Sequence, residues 1–347
     1  MTKDPAGQEP PLLAVEDLHT YFVTPAGPTQ SVDGVSFELN AGSTLGIVGE
    51  SGSGKSVLCR SIMGLLPRHG VDRGGRVLFK GSDTTHLTEA QRRALWGSEM
   101  SMVFQDPMTS LNPVMIIGKQ ITESLRLHLK LSREESRKTA LDLLSSVGIP
   151  EPARRFAEFP HQLSGGMRQR VTIAIALACR PSMLFADEPT TALDVTVQAQ
   201  ILDLLSAEQQ ERHMAMILVS HDLGVVAGHT DEVAVMYAGK IVEKAPTARL
   251  FSAMRMPYTE ALFNSMPRLE HESHRRLNAI KGRPPSLLNP PPGCRFAPRC
   301  PYVQERCLAE EPPLRTDEKD PEHSFACWYP VAGAKSAAVN TQKAVSA

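Results

Sequence analysis

The chain has no run of about 18 consecutive apolar residues, so no segment is expected to cross a bilayer as a helix. Its first residues, Met1 to Pro11, are polar and Pro-rich and lack the apolar stretch of a secretory signal. That predicts a cytosolic chain whose membrane role, if any, comes through a partner. An excess of charge of one sign is missing as well: 37 Lys+Arg stand against 38 Asp+Glu, a net charge of −1. This balance argues against binding nucleic acid through bulk charge. No internal repeat is present. Cysteine is scarce before residue 294, where only Cys59 and Cys179 occur, each in an apolar, helix-like stretch that suits a small packed hydrophobe. What remains is ordinary core-forming composition, 41% hydrophobic and 22% charged over 347 residues, enough for about two domains.

Short apolar runs bounded by turn residues predict strands at Thr44–Val48, Met100–Phe104, Met183–Ala186, Ala215–Val219 and Glu232–Tyr237. Helical stretches such as Val57–Leu66 and Val195–Ala207 fall between them. That alternation implies a mainly parallel sheet covered by helices. Earlier strands at Val32–Leu39 and Arg76–Phe79 are expected to form an antiparallel layer beside it. Residues 118–160 break the alternation: Ile121, Leu125, Leu129, Leu141, Leu144 and Val147 recur at helical spacing, with Gly148 as C-cap. They predict a helical insertion, placed at about 106–180. Beyond about 255 the prolines 284, 285, 290, 291 and 292 predict an extended segment, and residues 331–347 read as a disordered tail.

Gly49-Glu50-Ser51-Gly52-Ser53-Gly54-Lys55-Ser56 matches the P-loop pattern in full, directly after a strand and before a helix. Its glycines let backbone N–H groups turn toward phosphate oxygens, and the helix N-terminus adds positive potential. Lys55 would reach the β- and γ-phosphates, and the Ser56 hydroxyl would ligate Mg²⁺. Met183–Ala186 then runs into Asp187 and Glu188, placed to hold Mg²⁺ and to act as general base on water, respectively. A third motif, Leu163-Ser164-Gly165-Gly166-Met167-Arg168-Gln169-Arg170, opens a helix reaching about Arg180. Ser164 suits its cap, and Gly165 and Gly166 leave the first N–H groups open to an anion.

These motifs, in this order, resemble an ATP-binding cassette ATPase over residues 12 to about 255. The resemblance implies a P-loop NTPase α/β fold with a RecA-like parallel core, an antiparallel β layer and a helical insertion. It assigns Gln105 to the glutamine that touches Mg²⁺ or water and relays to the membrane subunits. Thr191-Ala192-Leu193-Asp194 matches the D-loop, and His221 the residue that contacts the γ-phosphate. Phe22, with Tyr21 as fallback, matches the aromatic that stacks on adenine. Met167 departs from the usual glutamine, beyond the Ser164-Gly165-Gly166 phosphate contact. Two cassettes of this kind sandwich ATP, each P-loop facing the other's Ser164-Gly165-Gly166 equivalent.

Cys294, Cys300, Cys307 and Cys327 crowd into the last part of the chain, which in a reducing compartment reads as a metal site before disulfides. Their gaps of five, six and nineteen residues contain no C-x₂-C pair, and they leave open an iron–sulfur cluster, a structural Zn²⁺ or four unligated thiols. The run Pro290–Pro301 around Cys294 and Cys300 is similar to the C-terminal region of oligopeptide and dipeptide importer ATPases. Phe104-Gln105-Asp106-Pro107-Met108-Thr109-Ser110-Leu111-Asn112-Pro113 fits the same subfamily. That resemblance points to a [4Fe–4S] cluster and to a division into 1–11 (flexible), 12–255 (cassette), 256–330 (Cys-rich accessory domain) and 331–347 (tail).

It also implies an ATPase at the cytoplasmic face of the inner membrane, powering uptake of peptides or related small solutes. Its partners would be two permease subunits, a second cassette, identical or related, and indirectly an external solute-binding protein. Two other readings fit the sequence less well. Soluble cassette ATPases of DNA repair or translation usually carry tandem cassettes, a coiled coil or a basic nucleic-acid surface, whereas this sequence has one cassette, no coiled coil and no net positive charge. A regulatory iron–sulfur protein without turnover would not need an intact Lys55, Asp187, Glu188 and His221.

Overall fold

The computed structural model describes residues 10–191, 193–265 and 280–331; the side chains of residues 107 and 108 are likewise outside it. Most of the expected flexible N-terminus, most of the expected tail and Ala192 of the D-loop match therefore lie outside the described residues.

An antiparallel layer is built first, from β1 (Leu13–Thr24), β2 (Gly27–Leu39), β4 (Val71–Phe79) and the two-residue β5 (Ser82–Asp83), in the order β2-β1-β4-β5. Val35, Phe37 and Leu39 turn inward while Ser36 and Glu38 face out, the period of two that makes β2 legible. β1 was not anticipated, although it is the layer's second strand. The reason is local: its pairing shifts register between Glu16 and His19, and Asp17 has φ 46°. Such a bulge resets the alternation on which a strand is recognised.

The second sheet has eight strands. Its parallel heart is β9 (Glu232–Tyr237), β3 (Thr44–Val48), β8 (Ala215–Ser220), β7 (Met183–Asp187) and β6 (Met100–Val103), in that order. All five anticipated strands are present, with ends differing by one residue at most. Residues of β3, β7 and β8 are buried on both faces, as parallel strands between two layers require. Alternate residues serve two cores. Leu45, Ile47 and Phe185 face α1 (Lys55–Ile62) and the antiparallel layer, whereas Val48, Leu184 and Ala186 face the remaining helices.

Those helices include α4 (Ile117–His128), α5 (Arg133–Ser146) and α7 (Gly165–Leu177), inserted between the neighbouring strands β6 and β7. Shorter helical pieces are α2 (Glu89–Leu95), α3 (Pro107–Ser110) and α6 (Pro152–Arg155). Ser132 and Glu135 cap α5 reciprocally, and Gly148, at φ 72°, ends it. Ile121, Leu125, Leu144 and Val147 are buried as expected. Leu129 is not: it follows the last residue of α4, where the chain turns away, and it is exposed. Cys59 and Cys179 are both buried.

After β7 come α8 (Val195–Arg212), β8, α9 (Leu223–Ala227), β9, β10 (Lys240–Pro246), α10 (Thr247–Ser252) and α11 (Pro257–Asn264). Residues 280–296, around the predicted extended prolines, contain neither helix nor strand, and Leu287 accepts a backbone hydrogen bond from Gln30 of β2. Then follow α12 (Glu305–Ala309) and a hairpin, β11 (Arg315–Asp317) and β12 (Asp320–Phe325). The hairpin was not anticipated. It continues the large sheet, because β12 pairs antiparallel with β10 through Glu243↔Phe325 and Lys244↔Ser324.

The join is polar and buried. Glu243 is fully buried and accepts from the backbone N–H of Arg255 (2.6 Å) and Met256 (3.1 Å), while His323 Nε2 lies 2.7 Å away. Arg255 and Arg249 pair with Asp317 and Asp320 of the hairpin. Glu243→Ala should therefore lower unfolding stability by about 3 kcal/mol, because three donors lose their acceptor at once. Urea unfolding of the full chain measures this; a midpoint equal to the parent's would show the join to be dispensable.

Candidate functional site

The P-loop joins β3 to α1, and its shape depends on close backbone approach. At Gly54, φ is 104° and a Cβ would sit 2.1 Å from the Ser31 carbonyl oxygen; at Gly49 it would sit 2.1 Å from that of Met236. No side chain fits either place. Ser51 and Gly52 form the open rim, with no atom within 4 Å of where a Gly52 Cβ would stand.

Lys55 is buried, and its Nζ donates to the carbonyls of Gly49 (2.8 Å) and Glu50 (3.1 Å). Desolvation pulls its pKa down, against the opposing pull of Glu188, Asp187 and Glu50. Ser56 Oγ donates to Asp187 Oδ1 at 2.8 Å. Asp187 Oδ2 and Ser53 Oγ are buried without any hydrogen-bond partner among the described residues. Burial drives the Asp187 carboxyl pKa up, with the Ser56 hydrogen bond opposing. A buried carboxylate oxygen with no partner beside a serine hydroxyl is the arrangement a hard divalent cation completes, so these residues fit Mg²⁺.

Glu188 is where the remaining residues meet. The strand β7 ends one residue before it, and its own φ of 46° is a conformation that costs a non-glycine residue of order 1 kcal/mol. Its N–H is held by the Val219 carbonyl of β8 (3.1 Å). Its Oε2 accepts from Gln105 Nε2 (3.0 Å) and Thr191 Oγ1 (3.0 Å), with His221 Nδ1 at 3.3 Å; Oε1 lies 3.9 Å from Lys55 Nζ. Gln105 lies just beyond β6 and His221 just beyond β8, so three neighbouring strand ends aim polar groups at one carboxylate.

The other predicted residues stand elsewhere. Ser164 caps α7 by accepting from Met167 N–H (3.3 Å), and Asp194 caps α8 by accepting from Val197 N–H (2.9 Å). Leu193 and Val197 pack over Gly165 and Gly166. Phe22 is half-buried in β1, opposite Thr29 and Val71. Tyr21 is engaged, its hydroxyl donating to Asp33.

The four cysteines of the last segment line one pocket, walled by Met256, Pro257, Phe296 and Trp328. Burial and the neighbouring thiols push Cys294 up to about 11 and Cys327 up to about 12. Among the described residues, no group of three or more His, Cys, Asp or Glu side chains is set to hold a metal ion, so the zinc and iron–sulfur expectations do not follow from the geometry as it stands.

Sequence reasoning missed two side chains at the P-loop. Tyr258 of α11 accepts from Glu50 N–H (2.8 Å), and Arg299 donates to both carboxylate oxygens of Glu50 (2.5 and 2.9 Å). Nothing in the P-loop motif announces them. The only local sign is that Cys294 and Cys300 each have an arginine beside them, Arg295 and Arg299.

The family model described as ABC transporter matches residues 32–191, and that described as oligopeptide/dipeptide transporter, C-terminal region, matches residues 242–307. The chain is 49% identical to the dipeptide transport ATP-binding protein DppD of Bacillus subtilis (strain 168), over 91% of this chain and 94% of that one. It is 48% identical to DppD of Escherichia coli (strain K12), over 87% and 92%. Among solved structures, the ATP-binding cassette MJ0796, a dimer in a post-hydrolysis state bound to ADP and Pi, superposes with a TM-score of 0.62 at 26% identity, covering 68% of this chain and 98% of that one. The cassette fold, the polar groups gathered at Glu188 and two relatives at nearly half identity lead to one assignment: this chain belongs to the ATP-binding subunits of the oligopeptide/dipeptide ABC transporter family.

Proposed function

We propose that the chain hydrolyses ATP at the P-loop site to power uptake of di- or oligopeptides, or related small solutes, through two partner permeases at the cytoplasmic face of the inner membrane. The observation that carries this reading is the convergence of Gln105, Thr191, His221 and Lys55 on Glu188. Glu188 takes the proton of the attacking water, oriented by Gln105 and His221. Lys55 and the P-loop N–H groups would hold the phosphates, Phe22 would meet the adenine, and Ser56, Asp187 and Gln105 would hold Mg²⁺, which would neutralise charge on the phosphate oxygens. Ser164, Gly165, Gly166 and Asp194 face the nucleotide of a second cassette, identical or related. Ser164 and Gly165 are exposed, as contact with such a partner requires. In a strain lacking the gene, uptake of labelled di- and oligopeptides should return with the parent chain and stay absent with Glu188→Gln. Equal uptake with both would sink this reading.

In the same proposal, residues 12–255 form the cassette and 256–330 an accessory unit holding a [4Fe–4S] cluster on Cys294, Cys300, Cys307 and Cys327. What supports this reading is that all four cysteines line one pocket, the number of thiolates such a cluster takes. The cluster would supply a crosslink to a segment of few regular elements. Anaerobically purified chain should carry about four irons and four acid-labile sulfides, lost in Cys300→Ser. Zinc, or no metal, would overturn the cluster and leave the ATPase reading intact.

A further inference from the structure

Glu50 presents an electrostatic difficulty: it places a carboxylate in a loop whose task is to receive a polyphosphate. All three of its polar groups are occupied. Its carbonyl accepts from Lys55, its N–H donates to Tyr258, and its carboxylate is gripped by Arg299 in a two-toothed pair. The last two partners lie outside the β3–α1 unit, and Arg299 is 249 residues further along the chain.

Arg299 sits in a built socket. Its side chain is 3% exposed. Nε donates to the Lys281 carbonyl (3.0 Å), and one terminal nitrogen also reaches the Tyr237 hydroxyl (3.2 Å). Its guanidinium stands 5.9 and 6.0 Å from the rings of Tyr237 and Phe296, which pack against Tyr258. Every contact fixes the fork so that its two parallel N–H groups face Glu50. A surface ion pair formed by chance would have neither the burial nor the socket.

We propose that Arg299 is a positioning residue for the P-loop: it neutralises Glu50 and fixes its side chain, while Tyr258 and Lys55 hold its backbone, so that the loop can accept the phosphates of ATP. The inference rests on the P-loop being the ATP site. Its signature is in nucleotide affinity, because the pair acts on the empty loop and touches no reacting atom.

The test uses the full chain and a fluorescent ATP analogue. Binding by the parent chain checks the site itself; absence of parental binding would sink the ATP-site reading, and the proposal with it. Given parental binding, Arg299→Ala should weaken affinity about tenfold, the effect of one uncompensated charge in a partly desolvated site. In the assembled transporter KM for ATP should rise by a similar factor, with kcat changed less than about twofold. Adding Glu50→Gln to Arg299→Ala should bring affinity back to within about threefold of the parent, since the stranded charge is gone. Parental affinity in Arg299→Ala would overturn the proposal. So would a double variant as weak as the single one, which would make Arg299 structural support only. If Arg299→Ala does not fold, Arg299→Lys keeps the charge and loses the fork; it should weaken binding about threefold, and parental affinity there overturns the proposal equally.

Discussion

Glu188→Gln should bind ATP and fail to turn it over, with steady-state phosphate release by the assembled transporter falling roughly 10³-fold. The expectation follows from what an amide keeps and loses here. Glutamine has the same shape, so the backbone at φ 46° and the N–H bond to Val219 are undisturbed. Its oxygen can still accept from Thr191 and Gln105, which both donate to Glu188 in the parent. It cannot take a proton from water at neutral pH. Asp187, the nearest candidate, is committed through Oδ1 to Ser56. Nucleotide affinity should stay near the parent's or rise, because a negative charge 3.9 Å from Lys55 has been removed. Hydrolysis within a factor of about ten of the parent would show that the proton goes elsewhere.

Lys55→Ala should lower ATP affinity by roughly 10- to 100-fold, the range expected when a buried ammonium loses charge-assisted contacts to phosphate. Two losses combine. The Nζ that would meet the phosphates disappears, and with it the two hydrogen bonds that draw the Gly49 and Glu50 carbonyls inward. Those carbonyls fix the direction of the loop's N–H groups, so the anion cradle loosens as its cation goes. Asp187 and Glu188 meanwhile lose the positive charge that offsets their repulsion. Equilibrium titration with a fluorescent nucleotide measures the change. An affinity equal to the parent's would mean the phosphates are held by the backbone alone.

What could be read from the sequence, and what could not, divides by the range over which each feature is encoded. The P-loop, the strand into Asp187 and Glu188, and the positions of Gln105 and His221 are short patterns. Each carries its own glycine, cap or apolar run, and the parallel topology then brings the strand ends together. β1 escaped because a bulge at Glu16–His19 breaks its alternation, and Leu129 was misjudged because spacing alone does not say where a helix stops. The β11–β12 hairpin escaped for a different reason. A three-residue strand has too few positions to show a period, and its partner β12 hides His323 among polar neighbours. Arg299 lies furthest from reach: its meaning depends on a carboxylate 249 residues away, and only the fold supplies that distance.

The β10–β12 join also sets an order of events on the ribosome. β10 is complete at Pro246, but the strand that covers its outer edge ends at Phe325, about 80 residues later. At about 5–20 residues per second the nascent chain carries a bare strand edge, and a Glu243 still waiting for His323, for roughly 4–16 s. Through that interval the unpaired β10 edge is a template on which a strand of another nascent copy could pair. The β11–β12 hairpin is thus what covers β10, and a chain stopped before it would leave the ribosome with that strand bare.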